Sequence, residues 1–289
     1  DRSTDPVYAE MAKMSLGWWQ VVDPRGIRRA VERVKRREAG CLADLLGLAA
    51  MRLRMGRYEQ FPAGVLAEID ACLVAFTYAS PAAYAVDLTT ESDQITLYAA
   101  RILAGQLYGG KITGSNLTGE QERQHGEVLA EGWLQQRGRT GFALWNSHTE
   151  PIVAALASLA DLAESEALRE HAAVVLDKVL FGLAVNSFRG TYAAPRAEAR
   201  ASWVRSGALA PEAPLGFLLW GMGGFNEHVR GAVSLGLAGK HYQAPELLRA
   251  IALDQWPEML SRERQQTGED EFVDTVVYKT PDAMLAFGI

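Results

Sequence analysis

The chain has 289 residues, of which 48% are hydrophobic and 22% charged, and its formal net charge at pH 7 is −6. This composition is typical of a folded globular protein and excludes a disordered or fibrous one. The acidic balance argues against nucleic acid as a partner, and no apolar stretch approaches the ~20 residues of a membrane-spanning helix, so no membrane is expected either.

Helical periodicity runs along almost the whole chain, because apolar residues recur at intervals of three to four. Short connections between the predicted helices favour antiparallel helical hairpins. Since no repeat of fixed period is present, we expect an all-α fold, an incomplete α/α toroid built as a barrel of helical hairpins, rather than a solenoid. The predicted helices span residues 5–16, 25–38, 41–55, 62–78, 91–108, 118–137, 149–164, 166–187, 214–238 and 245–266.

The last stretch of sequence, "EFVDTVVYKTPDAMLAFGI", is rich in β-branched and aromatic residues, which predicts a strand over residues 271–279. No second strand follows for it to pair with, so we expect it to dock on an earlier segment or to lead into a β domain. The predicted organisation is therefore a toroid domain, residues 1–270, and a short β segment, residues 271–289, that begins a truncated or missing β-sandwich domain.

The chain shows no motif for a cofactor or a metal. "GQLYGGKI" at 105–112 resembles a phosphate-binding loop, but Ile112 replaces the hydroxyl that such a loop uses to bind magnesium. Cys41 and Cys72 lie in apolar helical patterns, which predicts two buried, reduced thiols, with one disulfide as the alternative. The compartment stays open; the reduced thiols and the lack of a visible signal peptide favour the cytoplasm.

The first candidate cluster opens the helix predicted at residue 91. Thr90 and Asp93 fit a capping box, in which the threonine hydroxyl accepts from a first-turn amide and the carboxylate reaches back. Glu91 points about 200° away from Asp93 around the helix, on the side that continues into apolar residues. Because a carboxylate on an apolar face must be paired, protonated or in a wet cavity, Glu91 and Gln94 are predicted as site residues.

The second cluster is "GFALWNSHTEPIV", residues 141–153. Ser147 and Glu150 fit another capping box, so a helix start is predicted here. Capping leaves Trp145, Asn146 and His148 unexplained. A tryptophan at a helix start offers a flat face for a sugar ring, and asparagine and histidine supply hydrogen-bonding groups beside it. A surface histidine without a catalytic role is the alternative for His148.

Three connections are long, and long ordered loops in helical domains often carry function. They are residues 80–90, 109–119 and 189–214. The third begins with Arg189, Tyr192, Arg196 and Arg200, a combination of guanidinium groups and an aromatic ring that suits ligands rich in hydroxyls or carboxylates. A solvated loop held by salt bridges is the alternative.

Three stretches resemble a group of bacterial proteins distantly related to the heparinase II/III-like and alginate-lyase-like polysaccharide lyases and to toroid glycosidases. The stretches are "ESDQITLYAARILAGQLYG", "GFALWNSHTEPIVAALASLADLAE" and "VLFGLAVNSFRGTYAAPRAEAR". The resemblance implies an α/α toroid followed by a β-sandwich. The chain departs from the group's Glu-Asn-His motif at Ser92 and Asp93. It also departs from the group's His-Gly-Arg motif at Pro195 and Ala197. Both departures weaken a lyase mechanism.

The leading hypothesis from the sequence is a carbohydrate-active protein that acts on or binds an oligosaccharide or polysaccharide, neutral or acidic, in the toroid cavity. Glycoside hydrolysis is preferred, with Glu91 and Glu150 as acid and base. For a polysaccharide lyase, His148 or Tyr192 would take the proton α to a carboxylate. The predicted substrate-binding residues are Gln94, Trp145, Asn146, Arg189 and Arg196.

A second hypothesis is a non-catalytic helical scaffold or a glycan- or protein-binding module with a degenerate site. Convergence of Glu91, His148, Glu150 and Arg189 in one cavity, with carboxylates about 5–10 Å apart, would favour catalysis. Side chains that point to different sides would argue against it. The oligomeric state is not predicted.

Overall fold

The computed structural model describes residues 5–78, 88, 90–253 and 257–289. Helices dominate this part of the chain, as predicted. They are α1 (Pro6–Ser15), α2 (Pro24–Arg36), α3 (Cys41–Met55), α4 (Val65–Ala75), α5 (Glu91–Leu107), α6 (Gly119–Thr140), α7 (Thr149–Leu162), α8 (Glu166–Val185), α9 (Ala201–Arg205), α10 (Ala213–Trp220), α11 (Arg230–Leu237) and α12 (Glu246–Leu253). The predicted connection at 80–90 lies outside the described residues except for residues 88 and 90.

The helix predicted over 214–238 is instead two helices, α10 and α11. Gly221 ends α10 in the left-handed conformation with φ of +70°, and Gly223 follows with φ of +92°. Side chains other than glycine rarely adopt these angles, so the glycine-rich turn interrupts the helix. The break lets α11 turn back towards the centre of the helical array, where it packs on α7 and α1.

The helix predicted over 245–266 is wrong in its second half. Helix α12 covers Glu246–Leu253, and β3 (Met259–Gln266) takes up the last eight residues of the predicted range. Strand β4 (Phe272–Lys279) pairs antiparallel with β3 on one side and with β5 (Met284–Gly288) on the other. The strand predicted over 271–279 therefore pairs with an earlier segment, which was one of its two expected arrangements, and also with β5, a strand that was not expected. Pairing with β4 outweighs the helix propensity of the segment "MLSRERQQ". Strand formation depends more on packing against cross-strand and same-face neighbours than on the intrinsic propensity of the residues.

The three-stranded sheet has one buried and one exposed face. Thr275 and Val277 are both 3% exposed and lie on the buried face. The opposite face carries Leu260, Tyr278 and Leu285, which the strand register aligns side by side across the sheet and which remain exposed. The sheet thus packs on the helices with one face and presents apolar side chains outward with the other.

A single hydrophobic core joins the helices. Helix α3 packs against α1, α2, α4 and α5; α5 against α6 and α7; and α7 against α8 and α11, which in turn contacts α1. Cys41 and Cys72 are buried free thiols, as predicted, and burial raises the pKa of each to about 11. Among the described helices, none has the length and apolar character needed to cross a membrane.

Helices α5 and α7 begin at the same end of the array, because α6 returns the chain between them. A short hairpin of β1 (Ser187–Phe188) and β2 (Thr191–Tyr192) follows α8 and leads into the 193–200 loop. This loop crosses the start of α7, where its backbone hydrogen-bonds the 145–148 segment. The 193–200 loop and the start of α7 therefore lie next to each other.

Candidate functional site

Glu91 is buried at the start of α5, with 7% of its surface exposed. Its carboxylate forms an ion pair with the guanidinium of Arg137. It also accepts hydrogen bonds from the backbone N–H groups of Ala143 at 2.8 Å and Leu144 at 3.2 Å. Of the three environments expected for this carboxylate, paired, protonated or in a wet cavity, the structure shows the paired one. Through these three groups the carboxylate ties α5 to the end of α6 and to the segment that follows it.

Glu150 is completely buried in the first turn of α7. Its carboxylate accepts from Nε of Arg230 at 2.6 Å and from the backbone N–H of Gly231 at 2.7 Å. It therefore anchors the start of α11 to α7. The capping box predicted from Ser147 and Glu150 is wrong: the helix cap is His148, whose side chain caps no amide, and the hydroxyl of Ser147 bonds the 193–200 loop instead.

The backbone before α7 adopts an unusual conformation. Asn146 and His148 both have positive φ, +54° and +56°, in the left-handed region. For residues other than glycine this costs roughly 1–3 kcal/mol each and persists only when the surroundings enforce it. The amide of Asn146 donates to the carbonyl of Pro195 at 3.0 Å, and the N–H of Ala197 donates to the carbonyl of Trp145 at 3.1 Å. These bonds hold the turn that directs the imidazole of His148.

His148 joins two residues that are distant in sequence. Its Nδ1 lies 2.9 Å from the hydroxyl of Ser92, and its Nε2 lies 3.3 Å from a carboxylate oxygen of Glu198. Ser92 is buried with 4% of its surface exposed, whereas the side chains of His148 and Glu198 are 31% and 61% exposed. A hydroxyl, an imidazole and a carboxylate therefore form a continuous chain that runs from the interior to the surface.

The cap of α5 borders this chain. Thr90 caps the helix as predicted, with its hydroxyl accepting the backbone N–H of Asp93 at 3.2 Å. The same hydroxyl lies 2.5 Å from a carboxylate oxygen of Asp93 and 3.3 Å from the hydroxyl of Ser92. Because Thr90 and Asp93 complete the cap between them, the hydroxyl of Ser92 is not needed for it and is directed to His148.

Tyr192 and Arg196 are held together below the loop. Arg196 forms a buried ion pair with Glu212 at 3.0 Å, and its guanidinium lies 4.6 Å from the centre of the Tyr192 ring and 5.5 Å from that of Trp203. Desolvation and the nearby Glu212 raise the pKa of Tyr192 well above its usual value, so its phenol keeps its proton at neutral pH. Arg196 is thus a structural cation whose charge is already compensated.

A small cavity of about 40 Å³ lies beside Asn146 and Tyr192, between α7, α8 and β3. Lys178 and Glu263 also line it, and burial lowers the pKa of the lysine and raises that of the glutamate. Since a water molecule needs roughly 10–15 Å³ of such space, the cavity has room for a few waters and none for a sugar ring. A glycan would have to bind across the surface above it.

Three other predicted residues lie apart from this cavity. Arg189 bonds the carbonyl of Pro281 at 2.7 Å and lines a separate cavity of about 90 Å³ next to the sheet. Gln94 donates to the carbonyl of Leu88 at 3.0 Å. The ring of Trp145 is half-buried against β5, where a Cβ on Gly288 would lie 3.0 Å from it.

The four side chains used as the criterion for catalysis do not converge in one cavity. Glu91 faces α6, Glu150 faces α11 and Arg189 faces the sheet, so of the four only His148 has an exposed functional group beside the start of α7. The assignment of Glu91 and Glu150 as acid and base is therefore not supported by their surroundings.

Sequence reasoning missed Ser92 and Glu198 as members of the site. In the sequence Ser92 is notable only as a departure from a family motif, and Glu198 lies in the segment "PRAEAR", where the predicted binding groups are the arginines. The available signal was that Ser92 lies two residues after the capping Thr90 and so has no capping role of its own. Its contact with His148 depends on the packing of α5 against α7, which the local sequence does not encode.

Comparisons with protein-family models, with curated proteins and with solved structures found no match. Within the described ranges, no group of three or more histidine, cysteine, aspartate or glutamate side chains is arranged to hold a metal ion. The site is therefore assigned a function from its own geometry.

Proposed function

We propose that the protein binds a glycan over the starts of α5 and α7, and that any reaction on the glycan runs through His148 rather than through Glu91 or Glu150. The observation that carries this proposal is the environment of His148. Its backbone is held in the left-handed conformation, both ring nitrogens have partners, and its imidazole remains 31% exposed. Maintaining such strain at an accessible, titratable side chain is characteristic of functional sites.

The surface around His148 has the composition of a glycan site. Glu198 supplies an exposed carboxylate, and the loop that carries it continues to the paired side chains of Arg200 and Trp203, with the guanidinium 5.2 Å from the ring centre. Aromatic rings and fixed polar groups together suit a sugar, whose faces are apolar and whose edges carry hydroxyls. Arg196, which the sequence predicts as a substrate-binding residue, is replaced in this proposal by the more exposed Arg200.

The toroid arrangement stays part of the proposal. It is supported by the contacts of α1, α3, α5, α7 and α11, each of which packs on the next, with α11 returning to α1. Helices α2, α4, α6 and α8 pack against members of this set. The apolar outer face of the sheet, with Leu260, Tyr278 and Leu285, supports the proposal that a second β layer covers it, as in a β-sandwich.

A non-catalytic glycan-binding module is the second candidate. It is favoured by one specific observation: the two carboxylates predicted to perform hydrolysis, Glu91 and Glu150, are both engaged in buried ion pairs. Glycoside hydrolysis by two carboxylates needs both to reach the scissile bond. The two candidates share the binding surface and differ in whether product forms.

A panel of neutral and uronate oligosaccharides separates the candidates. Binding is measured by calorimetry, hydrolysis by new reducing ends, and elimination by absorbance of an unsaturated product. His171→Gln is the matched control for His148→Gln, because His171 also pairs with a carboxylate, Glu131 at 2.6 Å, and its side chain is 38% exposed.

The expected result is binding that His148→Gln weakens and His171→Gln leaves unchanged. Product that disappears in His148→Gln would assign catalysis, whereas binding without product would assign the binding module. Failure to bind any member of the panel would overturn the carbohydrate proposal.

A further inference from the structure

The hydrogen-bond partners of His148 determine which of its two ring nitrogens can accept a proton. A neutral imidazole has one N–H donor and one acceptor nitrogen. Glu198 is an acceptor, so Nε2 carries the proton and donates across the 3.3 Å contact. Nδ1 is then the acceptor, and the group that lies against it at 2.9 Å is the hydroxyl of Ser92. The opposite tautomer would set a lone pair of Nε2 against the carboxylate.

The proton of Ser92 has one alternative acceptor. Thr90 lies 3.3 Å away, but its own proton is directed to Asp93 at 2.5 Å, so it can only accept from Ser92. The shorter contact is the one to His148. The buried helical serine Ser158 differs, because it donates to the carbonyl of Ala154 four residues earlier, which is an ordinary intrahelical bond. Ser92 is thus placed as a donor to an imidazole base.

We propose that Ser92, His148 and Glu198 form a nucleophile, base and acid that hydrolyse small acyl esters. The roles are those of a serine hydrolase triad, which is recognised by geometry rather than by sequence position. Here Nδ1 faces the nucleophile and Nε2 faces the acid. Ser92 also lies in the first turn of the seventeen-residue helix α5, where the helix dipole stabilises negative charge that develops on the ester oxygen.

The reaction balances with water as the sole co-reactant. Oγ of Ser92 attacks the ester carbonyl carbon while its proton passes to Nδ1 of His148. The bond from carbon to the alcohol oxygen then breaks, and the alcohol leaves with the proton from Nδ1. Water attacks the acyl-serine, giving one proton to Nδ1, and the acid is released as Ser92 regains its proton. Glu198 stabilises the imidazolium formed in both halves.

The burial gradient of the triad sets the substrate class. Ser92 is 4% exposed, whereas the side chains of His148 and Glu198 are progressively more exposed. An acyl group that reaches Ser92 must therefore be small, such as acetyl, while the alcohol can extend outward over Glu198. This activity goes beyond glycan binding and does not require it, although an O-acetylated sugar would satisfy both proposals.

The test uses the whole chain, with p-nitrophenyl acetate and the longer butyrate and octanoate esters as substrates. We expect acetate to be hydrolysed fastest, kcat/KM to fall by at least 100-fold in Ser92→Ala and His148→Gln, and little change in Ser158→Ala and His171→Gln. Thermal unfolding of each variant identifies losses that come from misfolding. Equal rates in Ser92→Ala and in the wild type would overturn the proposal.

A second measurement on the unmodified protein does not depend on any variant folding. A small methyl fluorophosphonate should form a covalent adduct, and peptide mapping by mass spectrometry should locate it on Ser92. Absence of an adduct, or an adduct on another residue, would equally overturn the proposal. Because neither assay contains a sugar, their outcome is independent of the glycan panel.

Discussion

The hydroxyl of Ser92 lies 2.9 Å from Nδ1 of His148, although 56 positions separate the two residues in the chain. The contact exists because α5 and α7 begin at the same end of the helical array and pack against each other. Positive φ at His148 turns its side chain towards α5, and the 193–200 loop holds that turn in place. The geometry of the site is therefore a property of the tertiary fold.

Glu150 should act as a structural anchor. In Glu150→Gln, Arg230 would lose the partner of a buried ion pair, in which the glutamate is completely buried and the two groups lie 2.6 Å apart. Removing one member of such a pair typically lowers the free energy of unfolding by about 3–5 kcal/mol. Denaturant unfolding measures the change.

The control for this variant is Glu246→Gln, since Glu246 is 86% exposed and lies 3.7 Å from Arg249. Its expected effect is below about 0.5 kcal/mol. Equal stabilities of Glu150→Gln and Glu246→Gln would mean that Glu150 is not a structural anchor. Glu150 would then again be a candidate acid or base.

Asp44 should make stability depend on pH between about 4 and 6. Desolvation raises the pKa of this buried carboxyl to about 6 despite its ion pair with Arg33, whereas an unfolded aspartate titrates near ~3.9. In this window the folded state binds more protons, so the contribution of Asp44 to the free energy of unfolding falls as pH rises, by about 2–3 kcal/mol in total.

Asp44→Asn tests this sign because asparagine does not titrate. Denaturant unfolding from pH 4 to pH 7 measures the free energy of unfolding of both proteins. The value of the wild type should fall relative to that of the variant as pH rises. A difference that shifts in favour of the wild type would show that the ion pair with Arg33 outweighs desolvation.

Two glycines in adjacent helices should respond oppositely to alanine. A Cβ on Gly105 of α5 would lie 2.6 Å from the carbonyl oxygen of Gly119 and 2.7 Å from the backbone nitrogen of Arg123, so close packing of α5 on α6 requires glycine there. Gly105→Ala should lower the free energy of unfolding by about 1–3 kcal/mol or more.

Gly132 of α6 is the matched control, because nothing lies within 4 Å of a Cβ built there. Gly132→Ala should raise the free energy of unfolding by about 0.5–1 kcal/mol, since alanine loses less conformational freedom in a helix. Thermal or denaturant unfolding measures both variants. Similar effects of the two substitutions would contradict the close approach of α5 and α6.

Local sequence determined most of the helices well, and long-range contacts account for the errors. The starts of α3, α5, α7 and α8 follow helical periodicity and are found at the predicted residues. Strand β3 was missed because its residues favour a helix locally, and only pairing with β4 makes it a strand. The break between α10 and α11 was signalled by Gly221 and Gly223, whose positive φ angles the periodicity could not show.

The candidate site was predicted in part. His148 and Asn146 were identified because helix capping did not explain them, and their strained backbone agrees with that reasoning. Glu91 and Glu150 were given chemical roles because a local pattern cannot show their partners, Arg137 and Arg230, which lie 46 and 80 positions further along the chain.

The tautomer of His148 is the most direct test of the hydrogen-bonded arrangement of Ser92, His148 and Glu198. Nitrogen-15 NMR of the imidazole, assigned with His148→Gln and recorded where the ring is neutral, reports which nitrogen carries the proton. We expect a protonated Nε2 that donates to Glu198 and an unprotonated Nδ1 that accepts from Ser92, with the Nδ1 signal shifted in Ser92→Ala. A protonated Nδ1 in the neutral ring, or a spectrum that Ser92→Ala leaves unchanged, would contradict this arrangement.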